Sequence, residues 1–418
     1  MDETVEITEL GSGLRIATER VPSARSVSAG AWIGVGARDE PAAHSGVSHF
    51  LEHLLFKGTE QRSARDIAFA VDRVGGDMNA FTAKEYTAFY CRLPADALPL
   101  GVELLGDVLT RPALRDVDVE SERQVILEEL AMDDDQPEDV AHRLLAEALF
   151  PEHPLGRETA GSPRTVAALS ADDVREFFDH WYRQANTVIA VAGPVDHEAI
   201  VREVAKRFGE RAGGERPQRA APLDGVSPLV HERRPAEQVQ LVLGYRGVGR
   251  WDPDRETLDV LNHVLGGGPS SRLFEEVRER RGLAYAVGSS SMCYADTGSL
   301  TLYAGTAPGN ATELMRVVDG ELARIADGGV TDDELAVATG YLTGAYVLGL
   351  EDTGSRMARL GGSLTVYGEV RPVAEQLARW RAVGHDDLRR VAQRVLLAPR
   401  ALSVVGPLPR KAAVALAA

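Results

Sequence analysis

His49-Phe50-Leu51-Glu52-His53 puts two imidazoles four residues apart with a carboxylate beside the second. On a helix, positions i and i+4 lie one turn apart on one face, so both rings can reach one ion, and Glu52 lies on that same side. Two neutral imidazoles and one further carboxylate hold Zn2+ with a fourth position open for water, whose pKa the metal lowers toward ~7. Glu52 is then placed to take the proton from that water. The chemistry implied is metal-assisted hydrolysis. Taken alone, however, a five-residue pattern recurs by chance, and a histidine pair at this spacing is often only a helix surface.

The flanks favour a helix. Ser45 or Ser48 can cap its start, Leu51, Leu54, Leu55 and Phe56 supply a buried side, and Gly58 ends it. A third ligand must come from elsewhere, and the best segment is Glu122-Arg123-Gln124-Val125-Ile126-Leu127-Glu128-Glu129-Leu130. Glu122 and Glu129 are two helical turns apart (129 − 122 = 7) and share a face with Val125, Ile126 and Met132, so both carboxylates are expected to point into the protein. Buried carboxylates need partners. Glu128, rotated about 100° from Glu129, is the weaker choice. The competing reading makes Glu120, Glu122, Glu128 and Glu129 a solvated acidic face, as charge runs usually are.

The order H-x-x-E-H is the zinc-protease pattern H-E-x-x-H reversed, as in inverzincins. With Glu129 following His53 by 129 − 53 = 76 residues, the chain resembles the pitrilysin/insulinase family of zinc peptidases, M16, in its two-domain bacterial and mitochondrial processing peptidase-like branch. The resemblance covers nearly the whole chain. It implies that His49, His53 and Glu129 ligate one Zn2+ per chain, that Glu52 is the general base, and that Glu122 helps to orient the site.

Other segments gain a role only through that resemblance. Gly266-Gly267-Gly268 followed by a basic run reads blindly as a turn and a solvated helix end, and no phosphate-loop pattern is present. Within the family, Arg278 and Tyr285 match the arginine and tyrosine that bind substrate and stabilise the transition state. Gly75 to Thr82, before the alternating strand Tyr86–Tyr90, reads as a glycine-started hairpin. By resemblance it is the edge strand that binds peptide by β-augmentation, with Asn79 and Ala80 as substrate contacts. The family implies endopeptidase activity on peptides or unfolded segments in a closed dimeric chamber. In longer relatives the zinc motif lies in the first of four such domains and the arginine and tyrosine in the fourth, so a homodimer would place them on different subunits. Some members have become noncatalytic peptide-binding or assembly subunits, the alternative for this chain.

Composition agrees with an enzyme of this kind. A chain of 418 residues suggests two domains, and 44% hydrophobic residues with 26% charged, without a long apolar run, can build cores but not a membrane span. The start, with Asp2, Glu3, Glu6 and Glu9, has neither a basic nor an apolar targeting pattern. Cys91 and Cys293 are too few for a disulfide framework, are expected as core-packing thiols, and suit a reducing cytoplasm. A net charge of −17 argues against nucleic acid and anionic membranes as partners, and leaves peptide substrates, basic ones included.

Internal repetition sets the architecture. Val27–Trp32 and Val239–Gly244 alternate alike, Leu51-Glu52-His53-Leu54-Leu55 aligns with Leu261-Asn262-His263-Val264-Leu265, Asp172–Arg175 with Asp386–Arg389, and Ala192-Gly193-Pro194-Val195 with Val405-Gly406-Pro407-Leu408. A repeat this long is a duplicated domain. The expected class is α+β, two similar domains, each a mostly antiparallel sheet with helices packed on one side; the sheet arrangement comes from the resemblance. The join is expected in Glu210–Pro217 running to about Gly225, giving domains 1–212 and 226–418 with a linker at about 213–225. Asp259 and Asn262 stand where the first half has His49 and Glu52, so the second half is not expected to hold zinc, and His263 reads as a core residue.

Overall fold

The computed structural model describes residues 4–209 and 211–417; Asp2, Glu3 and Glu210, which entered the readings of the N-terminus and the linker, lie outside the described residues. The first half runs β1 (Val5–Glu9), β2 (Arg15–Arg20), β3 (Ser26–Ile33), α1 (Val47–Leu55), α2 (Ala64–Arg73), β4 (Asp77–Thr82), β5 (Thr87–Pro94), α3 (Leu98–Thr110), α4 (Asp116–Asp134), α5 (Pro137–Leu149), α6 (Pro163–Ala168), α7 (Ala171–Trp181), β6 (Thr187–Gly193) and α8 (His197–Arg207). The second half runs β7 (Leu229–Arg233), β8 (Val239–Gly247), α9 (Arg255–Gly266), a π-helical turn at Phe274–Glu279, β9 (Ala284–Cys293), β10 (Gly298–Thr306), α10 (Ala311–Gly328), α11 (Asp332–Gly349), α12 (Thr353–Val366), α13 (Val373–Arg381), α14 (His385–Leu396), β11 (Arg400–Gly406) and α15 (Arg410–Ala417).

The duplication is explicit in the sheets. The first has the order β1-β2-β6-β3-β5-β4 and the second β7-β11-β8-β10-β9, so removing β1 leaves the same five-strand pattern. In each, one neighbouring pair is parallel, β2 with β6 and β7 with β11, and the other pairs are antiparallel. The aligned turns after β6 and β11 share a backbone constraint. Gly193 has φ 152° and Gly406 φ 140°, and a Cβ on either would press on the start of the neighbouring strand, at Ser26 and Val27 or at Gln238 and Val239. Only glycine meets both demands.

On one face of the first sheet, Phe50, Leu51 and Leu54 of α1, Val102 and Leu105 of α3, Val174 and Phe178 of α7 and Val204 of α8 form a core. The second sheet has its counterpart, with Leu258, Leu261 and Leu265 of α9, Leu314 and Val318 of α10 and Leu388 and Val391 of α14. Cys91 is buried in the first of these cores and Cys293 packs at the margin of the second. The central strands are apolar on both faces, however: β6 is buried throughout. Each second face therefore needs a cover. Met357, Leu360 and Leu364 of α12 pack on Trp32, Ala17 and Val188 of the first sheet. Val140, Leu145 and Leu149 of α5 pack on Val242, Ala401 and Val405 of the second.

The expected division into 1–212 and 226–418 thereby needs a correction. The compact units are Met1–Leu130 with Glu158–Gln218 and Val347–Pro372, and Ala131–Arg157 with Arg219–Tyr346 and Val373–Ala418. The change at 218/219 falls inside the expected linker, but each half also lends one helix to the other's sheet. Polar contacts fix the loan in the first unit: Glu19, buried in β2, pairs with Arg356 and with Arg359 (3.2 Å), and Arg15 donates to the Leu364 carbonyl at 2.7 Å.

Two adjacent glycines of α12 test this packing. Alanine at either gains helix propensity of about 1 kcal/mol. A Cβ at Gly361 would overlap the Trp32 indole, whereas one at Gly362 meets nothing within 4 Å. Gly362→Ala should stabilise the protein by about 0.5–1 kcal/mol and Gly361→Ala should destabilise it by about 1–3 kcal/mol in urea unfolding. Equal stabilisation by both would remove the Trp32 contact as the reason α12 docks there.

Candidate metal centre

Helix α1 carries His49, Glu52 and His53, and its start is built differently from the expectation. Neither Ser45 nor Ser48 caps it; the N-cap is Gly46 at φ 98°, without a side-chain bond of its own. Instead the Glu40 carboxylate, six residues upstream and buried, accepts from Gly46 N at 2.7 Å and Ser48 N at 2.8 Å. The helix ends at Leu55 with Phe56 as C-cap, and Gly58 lies beyond it in a bridge to Ser63.

Helix α4 supplies Glu122 and Glu129, but its inward stripe is Val119, Glu122, Arg123, Ile126 and Leu130. Val125 and Met132, expected on the buried face, are 41% and 67% exposed. Glu129 sits at the margin of the stripe, half-buried rather than pointing inward as expected, and Glu128 is exposed. The rotation per residue explains this: one stripe of 119, 122, 126 and 130 leaves 129 on its shoulder and 125 and 132 outside.

Three ligand atoms converge there. One atom each of His49, His53 and Glu129 all lie within 4.8 Å of one another, and among the described residues no other such group of His, Cys, Asp or Glu is found. Glu129 Oε2 is 3.9 Å from His49 Nε2 and 3.5 Å from His53 Nε2. At Zn–N and Zn–O distances of about 2.0–2.1 Å, tetrahedral ligand atoms are about 3.4 Å apart, so the set fits zinc with small adjustments. Burial, followed by the proximity of His53, pushes His49 down to about 4, which keeps its lone pair free at neutral pH.

Supporting contacts differ between the ligands. His53 Nδ1 lies 3.2 Å from Glu122 Oε2, and Lys57 Nζ lies 2.5 Å from the other oxygen of that buried carboxylate. A proton on Nδ1 held by Glu122 leaves Nε2 as the metal-facing lone pair. His49 Nδ1 is buried with no such partner among the described residues. Glu52 accepts from the Thr82 hydroxyl at 2.5 Å, and Thr82 N–H also bonds it; burial raises the Glu52 pKa against these donors. Lys57, Thr82 and Glu40 escaped the sequence reading. Lys57 stands just past the end of α1 and meets the same carboxylate as His53, whereas nothing local marks the other two.

Thr82 ends β4, the edge strand of the first sheet. Ala83 N bonds Tyr86 O and the pairing continues as Ala80↔Phe89, which turns the N–H and C=O of Met78, Ala80 and Thr82 to the open edge. Asn79 is exposed, and its Oδ1 accepts from Ala80 N at 2.8 Å. In the second unit Arg278 rises from the π-helical turn and lies between aromatic rings, 4.7 Å from the Phe274 centroid and 4.4 Å from that of Tyr285. Tyr285, on edge strand β9, is 78% exposed. Gly266 and Gly267 are packing glycines, since a Cβ would meet Ser289 N or His263 Cα at 2.6 Å. His263 is buried and stacked on Tyr341 at 4.2 Å.

The family model for insulinase, peptidase family M16, matches residues 15–163, and that for the peptidase M16 inactive domain matches 168–339. An uncharacterized zinc protease of Streptomyces coelicolor is 46% identical, over 98% of this chain and 91% of the relative. One of Bacillus subtilis is 35% identical, over 95% and 97%. Two solved structures share the fold: a protease from Helicobacter pylori, with TM-score 0.90 at 22% identity over 97% of this chain and 100% of that one, and a peptidase M16 inactive domain from Pseudomonas fluorescens, with TM-score 0.88 at 20% identity over 97% and 98%.

If Glu122 orients His53, Glu122→Ala should weaken zinc binding by ~10–100-fold in chelator competition, while Glu128→Ala leaves it unchanged. Equal affinities for the two variants would reduce Glu122 to a buried ion-pair partner of Lys57.

Proposed function

Because the chain belongs to the insulinase family of peptidases, M16, we propose that it is a zinc-dependent endopeptidase acting on peptides or unfolded segments. The observation that carries this reading is the convergence of His49, His53 and Glu129, with Glu52 on the same helix as the two histidines and held by Thr82. When bound, one zinc per chain would acidify a water and polarise a peptide carbonyl. Glu52 accepts the water proton on a carboxylate oxygen and passes it to the leaving amide nitrogen. Thr82 holds that carboxylate at the end of the strand where substrate lies.

The substrate backbone adds to the open edge of β4, where main-chain bonds bring affinity without demanding one sequence. Asn79 turns away from Ala80 N–H as a peptide carbonyl takes that donor. Arg278 and Tyr285 donate to peptide carbonyl oxygens as charge develops there. A noncatalytic subunit of this family would be expected to have lost a ligand or the base, and this chain keeps His49, Glu52, His53 and Glu129. We place the enzyme in a reducing cytoplasm, a setting that suits the free thiols Cys91 and Cys293. Among the described residues no helix is long and apolar enough to cross a membrane.

Glu52→Gln should retain near-stoichiometric zinc while peptide turnover falls at least ~10²-fold, and Glu129→Gln should instead bind zinc weakly. Metal analysis beside a peptide-cleavage assay checks both. Loss of zinc in the first variant, with full zinc and activity in the second, would reverse the two roles.

We also propose a homodimer in a closed chamber, with Arg278 and Tyr285 acting at the zinc site of the other subunit. Closed twofold pairing suits such a chamber. Light scattering should report a dimer that cleaves peptides unaided. Mixing Glu52→Gln with Arg278→Ala/Tyr285→Phe and allowing exchange makes half the dimers mixed, each with one intact site of two, so activity should return to about a quarter of wild type. Persistent inactivity after exchange is confirmed by mass labelling rejects the arrangement.

A further inference from the structure

Glu40 belongs to a short strap, residues 36–48, that touches both elements bearing the site. At its upstream end Ala37 N donates to Ala83 O at 3.1 Å and Arg38 N to Lys84 O at 2.7 Å, hooking the strap onto the turn between β4 and β5. The Arg38 guanidinium meets Glu85 at 2.6 Å with both side chains 2% exposed, which locks that hook in the core. At its downstream end Glu40, itself 3% exposed, bonds Gly46 N and Ser48 N with one oxygen each. Ser48 immediately precedes His49, and the strap's other anchor lies one residue beyond Thr82, the partner of Glu52.

We propose that Glu40 is a positioning residue, a buried carboxylate clip that sets helix α1 against strand β4 and so holds His49 and Glu52 in working register. The inference rests on the zinc-peptidase reading for its catalytic consequence. A nine-residue helix has little stability of its own, and its first-turn N–H groups have no partners within the helix. Two hydrogen bonds, one to each oxygen of a single buried carboxyl group, fix both the angle and the axial position of that turn. A small displacement of catalytic groups costs far more in turnover than in folding, since a misplacement of about 1 Å can cost ~10²-fold.

Glutamine at 40 keeps the size but can accept only one of the two bonds, and its NH2 would face the other N–H. Aspartate keeps the charge but is one methylene too short to span both. Three readouts on Glu40→Gln, with Glu40→Asp as the milder variant should the first fold poorly, test the clip. Amide exchange in metal-free protein should quicken about tenfold or more across 46–55 and not in β3 or β6. Zinc affinity by chelator competition should fall about tenfold. At saturating zinc, kcat on a peptide should fall about tenfold or more, with KM within twofold of wild type. Unchanged exchange in α1, or faster exchange with unchanged zinc affinity and kcat, overturns the proposal and leaves Glu40 a fold-stabilising residue only. If wild type itself binds no zinc, the peptidase reading fails, while the exchange measurement still decides whether Glu40 clamps α1.

Discussion

Gathering two imidazole nitrogens and a carboxylate oxygen within 4.8 Å works against the ordinary tendency of polar groups to keep water around them, and the first unit is organised to hold them there. Burial and the neighbouring ring keep His49 neutral, so the two histidines do not repel as cations. Glu122, neutralised by Lys57, fixes the His53 ring without adding net negative charge beside Glu129. Helix α1 is too short to impose this order alone. Phe50, Leu51, Leu54 and Leu55 anchor one side of it in the core, and Glu40 pins its start.

The centre itself was legible because its parts are local or periodic. His49, Glu52 and His53 are ordered by one helical turn, and Glu122 and Glu129 by two turns of another, so spacing alone narrows the choice. Spacing did not tell which carboxylate is buried. That depends on how α4 is rotated against its neighbours, and Val125 and Met132, apolar but exposed, pointed to the wrong stripe. Thr82 and Glu40 were invisible for a different reason: each meets α1 across a loop or strand, and no repeat in the chain encodes that meeting.

The same division runs through the fold. Two similar halves could be read from matched segments, and the matching glycines Gly193 and Gly406 end equivalent strands with positive φ. The exchange of α5 and α12 could not, because a helix with one apolar side looks the same whichever sheet it covers. The clue was in the strands. β6, buried along its full length, has no solvent face to leave open, and a sheet with helices on one side only would expose it. Gly361 over Trp32, and Gly244 under Leu145 and Leu149, are the local fits that let each borrowed helix approach.

Duplication also explains how one scaffold carries two different polar arrangements. Helix α9 holds the place of α1, but where α1 offers His49 and Glu52 it has Asp259, bonded to the Trp380 indole at 3.1 Å, and Asn262. His263, the one residue kept, spends its ring on stacking with Tyr341. The edge strands diverge in the complementary sense. β4 ends in Thr82, which serves a carboxylate on α1, whereas near the start of β9 the exposed Tyr285 lies against the half-buried Arg278, two hydrogen-bond donors side by side. Arg278 sits on the π-helical turn four residues after Phe274, and its guanidinium lies between the rings of Phe274 and Tyr285. In one half the helix beside an edge strand carries the two histidines and Glu52, and in the other the equivalent helix is given to packing while the polar pair Arg278 and Tyr285 gathers at the strand edge.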